Sequence, residues 1–313
     1  MAVLILTEIE LTDLWVSTLI AQLKKRNPDI DWRVWPECGK LEDIEIVLAW
    51  YPPPGVMQQF SNLKLIISLG AGVYHILRDP NLQAQVPIVR LIDDRLTLQM
   101  AQYVTLAVLL FQQRFFEYQK IQKLRLWESL PVAEARCFTV GILGLGVFGS
   151  TVAKKLAAIG FPVRGWSRNP KQIEGVECFY GYEQFELFLS QCQAIVCVLP
   201  VTSETKEILS NETFSALPQG AYLINVGRGQ HLVEADLLNA LDSGQIAGAC
   251  LDVFNTEPLP HDHPFWSHPR IMVTPHIAAE GQPDNFADLI LETLFLYKTG
   301  QPLKYLVDRN QGY

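Results

Sequence analysis

Apolar residues in this chain fall into short runs separated by stretches with helical spacing, and the alternation recurs along almost the whole length. Near the start, Val3–Leu6, Trp32–Trp35, Val47–Trp50 and Leu65–Ser68 read as strands, and Leu11–Lys24 carries helical periodicity. Tyr51-Pro52-Pro53-Pro54-Gly55 can be neither helix nor central strand, so it predicts a rigid loop after the third strand. Thr97 to about Lys123, with Met100, Val104, Ala107, Val108 and Phe111 in register, predicts one long helix bridging into a second domain. An irregular apolar arm, Leu124-Arg125-Leu126-Trp127 to Pro131, follows; such an arm suits either a second copy or the chain's own surface. A core strand then begins near Phe138. Further on, Pro162–Trp166, Ala194–Leu199, Ala221–Val226, Ala247–Val253 and Ile271–Thr274 are apolar almost throughout, as expected of parallel strands covered on both faces. Pro283–Thr299 predicts a helix that returns to the first domain. The expected fold class is α/β, with two Rossmann-like parallel-sheet domains: 99–281 inserted into a domain built from 1–98 and 282–313.

Composition narrows the function. At 313 residues the chain has room for about two domains. A formal net charge of −8 argues against nucleic acid or an anionic membrane as partner, so any anionic ligand needs local positive groups. The six cysteines have no C-x-x-C spacing and read as reduced thiols of a cytoplasmic protein. Met1–Leu6 lacks a basic leader region and runs into Glu8 and Glu10, so it predicts a first strand, with no signal peptide and no membrane span. His261-Asp262-His263 has no third ligand at metal-site spacing and reads as a polar loop; no metal is expected.

The chain is organised around Thr139–Gly149. A buried strand leads into Gly144-Leu145-Gly146-Val147-Phe148-Gly149, then a helix Ser150–Ile159 stopped by Gly160, then the strand Pro162–Trp166. G-x-G-x-x-G in a βαβ context is the dinucleotide fingerprint. Gly144 permits the tight turn, Gly146 lets the backbone approach a pyrophosphate, and Gly149 allows close helix–strand packing. The helix N-terminus offers N–H groups to the phosphates. Leu199 and Pro200 are assigned to the same cofactor. An acid at the end of the second strand would select NAD by binding its ribose hydroxyls. Trp166-Ser167-Arg168-Asn169 has none, and Ser167 and Arg168 can bond a phosphate, so NADPH is expected over NADH.

Three later strand ends carry polar groups: Arg228 in Asn225-Val226-Gly227-Arg228-Gly229, Glu257 after Leu251-Asp252-Val253-Phe254, and His276 in Thr274-Pro275-His276. Arginine can clamp a carboxylate and polarise a carbonyl, and histidine can donate a proton to the oxygen that becomes a hydroxyl. Glutamate bonded to that histidine keeps it charged. Beside a nicotinamide, the set performs reduction of a 2-oxo acid. In the first domain, Leu69-Gly70-Ala71-Gly72-Val73 exposes backbone N–H groups at a strand's carboxyl end. The substrate carboxylate is expected between Arg228 and the N–H groups of Ala71 and Gly72, with Trp50 walling the pocket. His75, His231, His261, His263 and His268 have no comparable context.

The combination of these motifs, in this order and over nearly the whole chain, resembles the D-2-hydroxyacid dehydrogenases. The resemblance implies that Arg228, Glu257 and His276 are catalytic, that Gly70-Ala71-Gly72 binds the substrate carboxylate, and that Asp252 meets the nicotinamide carboxamide. It also implies a substrate domain made from both chain ends and a homodimer formed through the cofactor domains. Trp50-Tyr51-Pro52-Pro53, Leu69-Gly70-Ala71-Gly72-Val73, Trp166-Ser167-Arg168 and Gly312-Tyr313 are similar to a branch acting on glyoxylate and hydroxypyruvate. Gln102 departs from the family, whose members usually carry a glutamate there. Two rival readings are a 3-phosphoglycerate dehydrogenase, for which the first domain offers no basic cluster, and a dinucleotide-sensing protein without catalysis.

Overall fold

The first apolar run becomes strand β1 (Ala2–Thr7), buried at every residue. Continuous burial without alternation marks a parallel strand covered on both faces. The computed structural model describes residues 2–7, 14–309, 311 and 312. Through its internal contacts the chain divides into two units, Met1–Asp94 with Gly281–Tyr313, and Arg95–Glu280.

In the first unit β1 is followed by helix α1 (Leu14–Arg26), strands β2 (Asp31–Val34), β3 (Ile44–Trp50) and β4 (Leu65–Ser68), the single-turn helix α2 (Tyr74–Leu77) and strand β5 (Ile88–Arg90). Among the described residues these strands form a five-stranded parallel sheet in the order β2-β1-β3-β4-β5. Leu11, Thr12 and Asp13 of the expected first helix lie outside the described residues, as does Tyr313. Helix α1 buries Val16, Leu19 and Leu23 on one stripe. The helix Pro283–Lys298 buries Phe286, Ala287, Ile290 and Leu294 and packs on α1. Trp15 meets Phe286 edge-on and donates to Gly281 O at 2.6 Å, while Arg26 bridges Asp284 and Asp288. Strand β5 was not expected, because three residues carry no readable period. The returning chain pairs along it: Val307 N–H donates to Ile88 O at 2.8 Å and Arg90 N–H to Tyr305 O at 3.1 Å.

The second unit comprises α3 (Asp94–Gln112), α4 (Phe115–Lys123), β6 (Val140–Leu143), α5 (Val147–Ala158), β7 (Val163–Ser167), β8 (Val176–Tyr180), α6 (Phe185–Leu189), β9 (Ala194–Cys197), α7 (Asn211–Ala216), β10 (Ala221–Asn225), α8 (Glu234–Asp242), β11 (Ile246–Leu251) and β12 (Ile271–Val273). Its seven-stranded sheet, again among the described residues, is parallel in the order β12-β11-β10-β9-β6-β7-β8. One core cluster gathers Trp166, Phe188, Phe214 and Leu237, and a second gathers Val104, Phe111, Val152 and Leu156. The chain leaves β6 toward one edge through β7 and β8, then crosses back to β9. The carboxyl end of β6 is therefore a topological switch point, where doubly wound sheets bind ligands. Both units are parallel-sheet α/β domains, the expected fold class.

Two expectations need correction. The long helix breaks at Arg114, whose φ of 56° is left-handed, so α3 and α4 are separate. No glycine or proline marks the break. It is tied by the returning arm: Gln112 donates to Ala133 O, and Leu130 N–H donates to the Tyr118 hydroxyl. Strand β8 was missed because it is an edge strand that fully buries Phe179 alone, and a mixed pattern hides it. The arm itself leaves Leu124, Leu126 and Trp127 exposed. No helix among the described residues is long and apolar enough to cross a membrane.

Candidate active site

The turn after β6 is shaped by its glycines. Gly144 has φ of 102°, and a side chain there would meet Val198 O at 3.1 Å. A Cβ at Gly149 would lie 1.7 Å from Gly144 O, so α5 can seat against the turn only with glycine at that point. Gly146 is different: nothing lies within 4 Å of where its side chain would be. That open space, next to the unpaired first N–H groups of the twelve-residue helix α5, fits the pyrophosphate of a dinucleotide. Leu145 is buried, whereas Val147 is exposed and Phe148 half-buried at the helix start. Leu199 and Pro200 follow β9 beside the turn; Val198 N–H donates to Leu143 O at 2.9 Å, and a Gly144 side chain would touch Leu199.

At the end of β7, Ser167 and Arg168 part company. Ser167 is buried and its hydroxyl donates to Asn169 O at 2.8 Å, so its proton is already committed. Arg168 is exposed, and its Nη2 lies 2.7 Å from Glu204 Oε2. An acid does reach this position, from a loop distant in sequence.

The three polar strand ends belong to adjoining loops. A Cβ at Gly229 would lie 1.9 Å from Phe254 C, so the Arg228 turn rests directly on the backbone that leads to Glu257. Glu257 Oε1 accepts from Phe254 N–H at 2.9 Å, and its Oε2 lies 2.8 Å from His276 Nδ1. Burial pushes the Glu257 carboxyl upward, but the hydrogen bond and charge of His276, the Phe254 N–H and the charge of Arg228 outweigh it and hold it below the ordinary carboxylate value. Glu257 is therefore an anion near neutral pH. With Nδ1 engaged, Nε2 is the His276 nitrogen left for proton transfer.

His276 has φ of 59°, a conformation few side chains adopt. Asp252 holds it there. This buried carboxylate accepts from Thr274 Oγ1 at 2.6 Å, Ile277 N–H at 2.8 Å and Ala278 N–H at 2.9 Å, while His276 N–H donates to Asp252 O at 2.9 Å. Because Thr274 gives its proton to Asp252, Tyr103 must donate its own to Thr274 Oγ1. Burial keeps that phenol protonated, raising it far above its ordinary value. Burial also raises Asp252, with the three donors opposing the rise. Asp252 is thus the anchor of the His276 loop, a role that sequence alone did not reveal. Gln102, beside Tyr103, is exposed.

His231 was also passed over. It is fully buried: Nδ1 accepts from Arg228 N–H at 3.0 Å, and Nε2 lies 3.2 Å from Pro200 O. The first bond needs a bare Nδ1, so the proton sits on Nε2 and is donated to Pro200. Burial pulls this imidazole down to about 4, against the opposing hydrogen bond to Pro200. Asn225 Nδ2 donates to Arg228 O at 3.1 Å, completing the clamp on the arginine turn. A buried polar residue two positions beyond R-G was the available signal. His263 instead caps the turn Pro264–Trp266 and lies 3.2 Å from Glu234.

In the first unit, the Gly70-Ala71-Gly72 turn closes β4. Ser68 Oγ donates to Gly72 O at 2.9 Å, and Leu91 N–H to Gly70 O. The N–H groups of Ala71 and Gly72 donate to no other described residue. Half-buried Trp50 lies over Gly70, where a Cβ would come within 2.6 Å of the indole, and contacts Tyr51 and His75.

Comparison with known proteins identifies the family. Residues 105–278 match the family described as D-isomer specific 2-hydroxyacid dehydrogenase, NAD binding domain. The chain is 45% identical over 299 residues to glyoxylate/hydroxypyruvate reductase A of Serratia proteamaculans (strain 568), covering 94% of this chain and 95% of that protein. A D-isomer specific 2-hydroxyacid dehydrogenase from Xanthobacter autotrophicus Py2, solved with NADPH and MES, is similar with a TM-score of 0.91 and 38% identity, covering 100% and 99% of the two chains. The NADPH-dependent glyoxylate/hydroxypyruvate reductase of Sinorhizobium meliloti, solved with NADP and sulfate, gives a TM-score of 0.92 at 34% identity and the same coverage.

Proposed function

The chain belongs to the D-isomer specific 2-hydroxyacid dehydrogenases and is an NAD(P)-dependent oxidoreductase; on that premise we propose that it reduces small 2-oxo acids, glyoxylate and hydroxypyruvate foremost, with NADPH as reductant. The observation that carries the reading is the pair His276 Nδ1···Glu257 Oε2 at 2.8 Å, an imidazole held on one side by a carboxylate below its ordinary value. The bound nicotinamide supplies the hydride. His276 Nε2 gives its proton to the substrate carbonyl oxygen as the carbonyl carbon becomes tetrahedral, so glyoxylate leaves as glycolate and hydroxypyruvate as D-glycerate. Glu257 stabilises the imidazolium before transfer. Arg228, charged at any working pH, polarises the carbonyl and neutralises the developing oxyanion.

The first unit takes the substrate and the second the dinucleotide. Ala71 and Gly72 offer their uncommitted N–H groups to the substrate carboxylate, and Trp50 limits the length of the group beyond the carbonyl. The glycine turn, Leu199 and Pro200 line the cofactor, and Asp252 both anchors the His276 loop and lies at the carboxamide end. Arg168 is the group for the 2′-phosphate. A second copy of this chain docks through the second unit, and the exposed Leu124, Leu126 and Trp127 of the arm are the surface for it.

The test is oxidation of NADPH or NADH with glyoxylate, hydroxypyruvate, pyruvate, 3-phosphohydroxypyruvate and bulkier 2-oxo acids in parallel. Fast turnover of the two small polar acids with NADPH is expected. A preference for the phosphorylated acid would favour the phosphoglycerate reading. Cofactor binding with no turnover of any acid would favour a sensor.

A further inference from the structure

The guanidinium assigned to the 2′-phosphate already has an anionic partner. Arg168 Nη2 and Glu204 Oε2 are 2.7 Å apart, with side chains 38% and 54% exposed. The loop that delivers Glu204 is braced. Thr205 Oγ1 donates to Pro200 O at 2.6 Å, Thr202 N–H donates to Thr205 Oγ1 at 2.8 Å, and Tyr182 OH donates to the main-chain oxygen of Glu204 at 2.6 Å. The loop under the carboxylate is thus held at Glu204 itself, at Thr205 after it and at Thr202 two positions before it. A carboxylate and a phosphate use the same guanidinium donors, and they repel each other when placed side by side.

We propose that Glu204 is an internal competitor for the 2′-phosphate of NADP(H), holding Arg168 in the free protein and lowering the affinity that Arg168 alone would confer. This rests on the assignment of Arg168 to the 2′-phosphate. The consequence is a cofactor grip tuned at the adenosine end, remote from His276 and Arg228. Because an exposed ion pair is weak, the competition is modest.

The experiment is isothermal titration of NADP+, NAD+ and 2′,5′-ADP into the wild-type protein, Glu204→Gln, Arg168→Ala and the double variant. Glu204→Gln is expected to tighten NADP+ and 2′,5′-ADP by about three- to tenfold and to move NAD+ by less than about twofold. The gain should shrink in the Arg168→Ala background. Unchanged or weaker NADP+ binding by Glu204→Gln, with Arg168→Ala still costing affinity, overturns the competition alone. NADP+ affinity that survives Arg168→Ala overturns the phosphate assignment itself.

Discussion

The loops proposed to donate the proton and the corner proposed to select the phosphate, both in the second unit, hold their charged groups by opposite means. His276 is kept in a strained backbone conformation by the buried Asp252 carboxylate, and the Arg228 turn is clamped by His231 and Asn225. Arg168, by contrast, is met by the exposed carboxylate of Glu204. Buried hydrogen bonds between fixed partners leave no second arrangement of comparable energy, whereas an exposed ion pair exchanges readily with solvent or ligand. On the proposed reading, the groups assigned to the transition state are preorganised, whereas the group assigned to the cofactor's phosphate sits in an exchangeable exposed pair.

The sharpest way to break this contrast is at the reacting end. His276→Ala should lower kcat by about a thousandfold, the scale of a lost general acid, while NADP+ titrates normally. Near-normal turnover would remove His276 as the donor. Next is His231. His231→Leu leaves the Arg228 N–H without its acceptor, and kcat/KM should fall by about ten- to a hundredfold, with part restored in His231→Asn. The same residue makes the fold acid-sensitive. Its folded value of about 4 lies below the ordinary 6.5, so between those pH values the unfolded chain binds a proton that the native chain refuses. Stability should therefore fall by about 3 kcal/mol as pH drops through that window, and His231→Leu should flatten the loss, read as urea midpoints. Glu257, depressed when folded, adds a loss of the same sign at lower pH.

Smaller effects belong to the exposed corner. Arg168→Ala should weaken NADP+ by about tenfold and leave NAD+ nearly unchanged in titration. Smallest of all is Ser167→Ala. Its hydroxyl proton is committed to Asn169, so NADP+ affinity should move by less than about twofold. A large loss there would place the hydroxyl on the phosphate and shift the selecting group inward.

Much of this was legible along the chain. Strands such as Leu65–Ser68 and the five-residue run Ala221–Asn225 announce themselves because both faces are covered and all but the last position of each is an apolar or aromatic residue. The glycine turn was legible because sterics dictate its residues: the carbonyl of Gly144 fills the space a Gly149 side chain would need. Strands β5 and β8 were not, since one has too few residues for a period and the other is an edge. The break at Arg114 was also hidden, for it is tied by Ala133 and Leu130, residues well beyond the helix.

Local chemistry therefore settled the layers and the turn, and pointed to the arginine, glutamate and histidine, because each of these signals depends on residues within a few positions. Tertiary structure decided their partners. It set Asp252 beneath the His276 loop, His231 between Arg228 and Pro200, and Glu204 against Arg168. The reason is physical: hydrophobic burial leaves a periodic trace in the sequence, but a hydrogen bond between distant loops leaves none until the sheet brings their ends to the same edge.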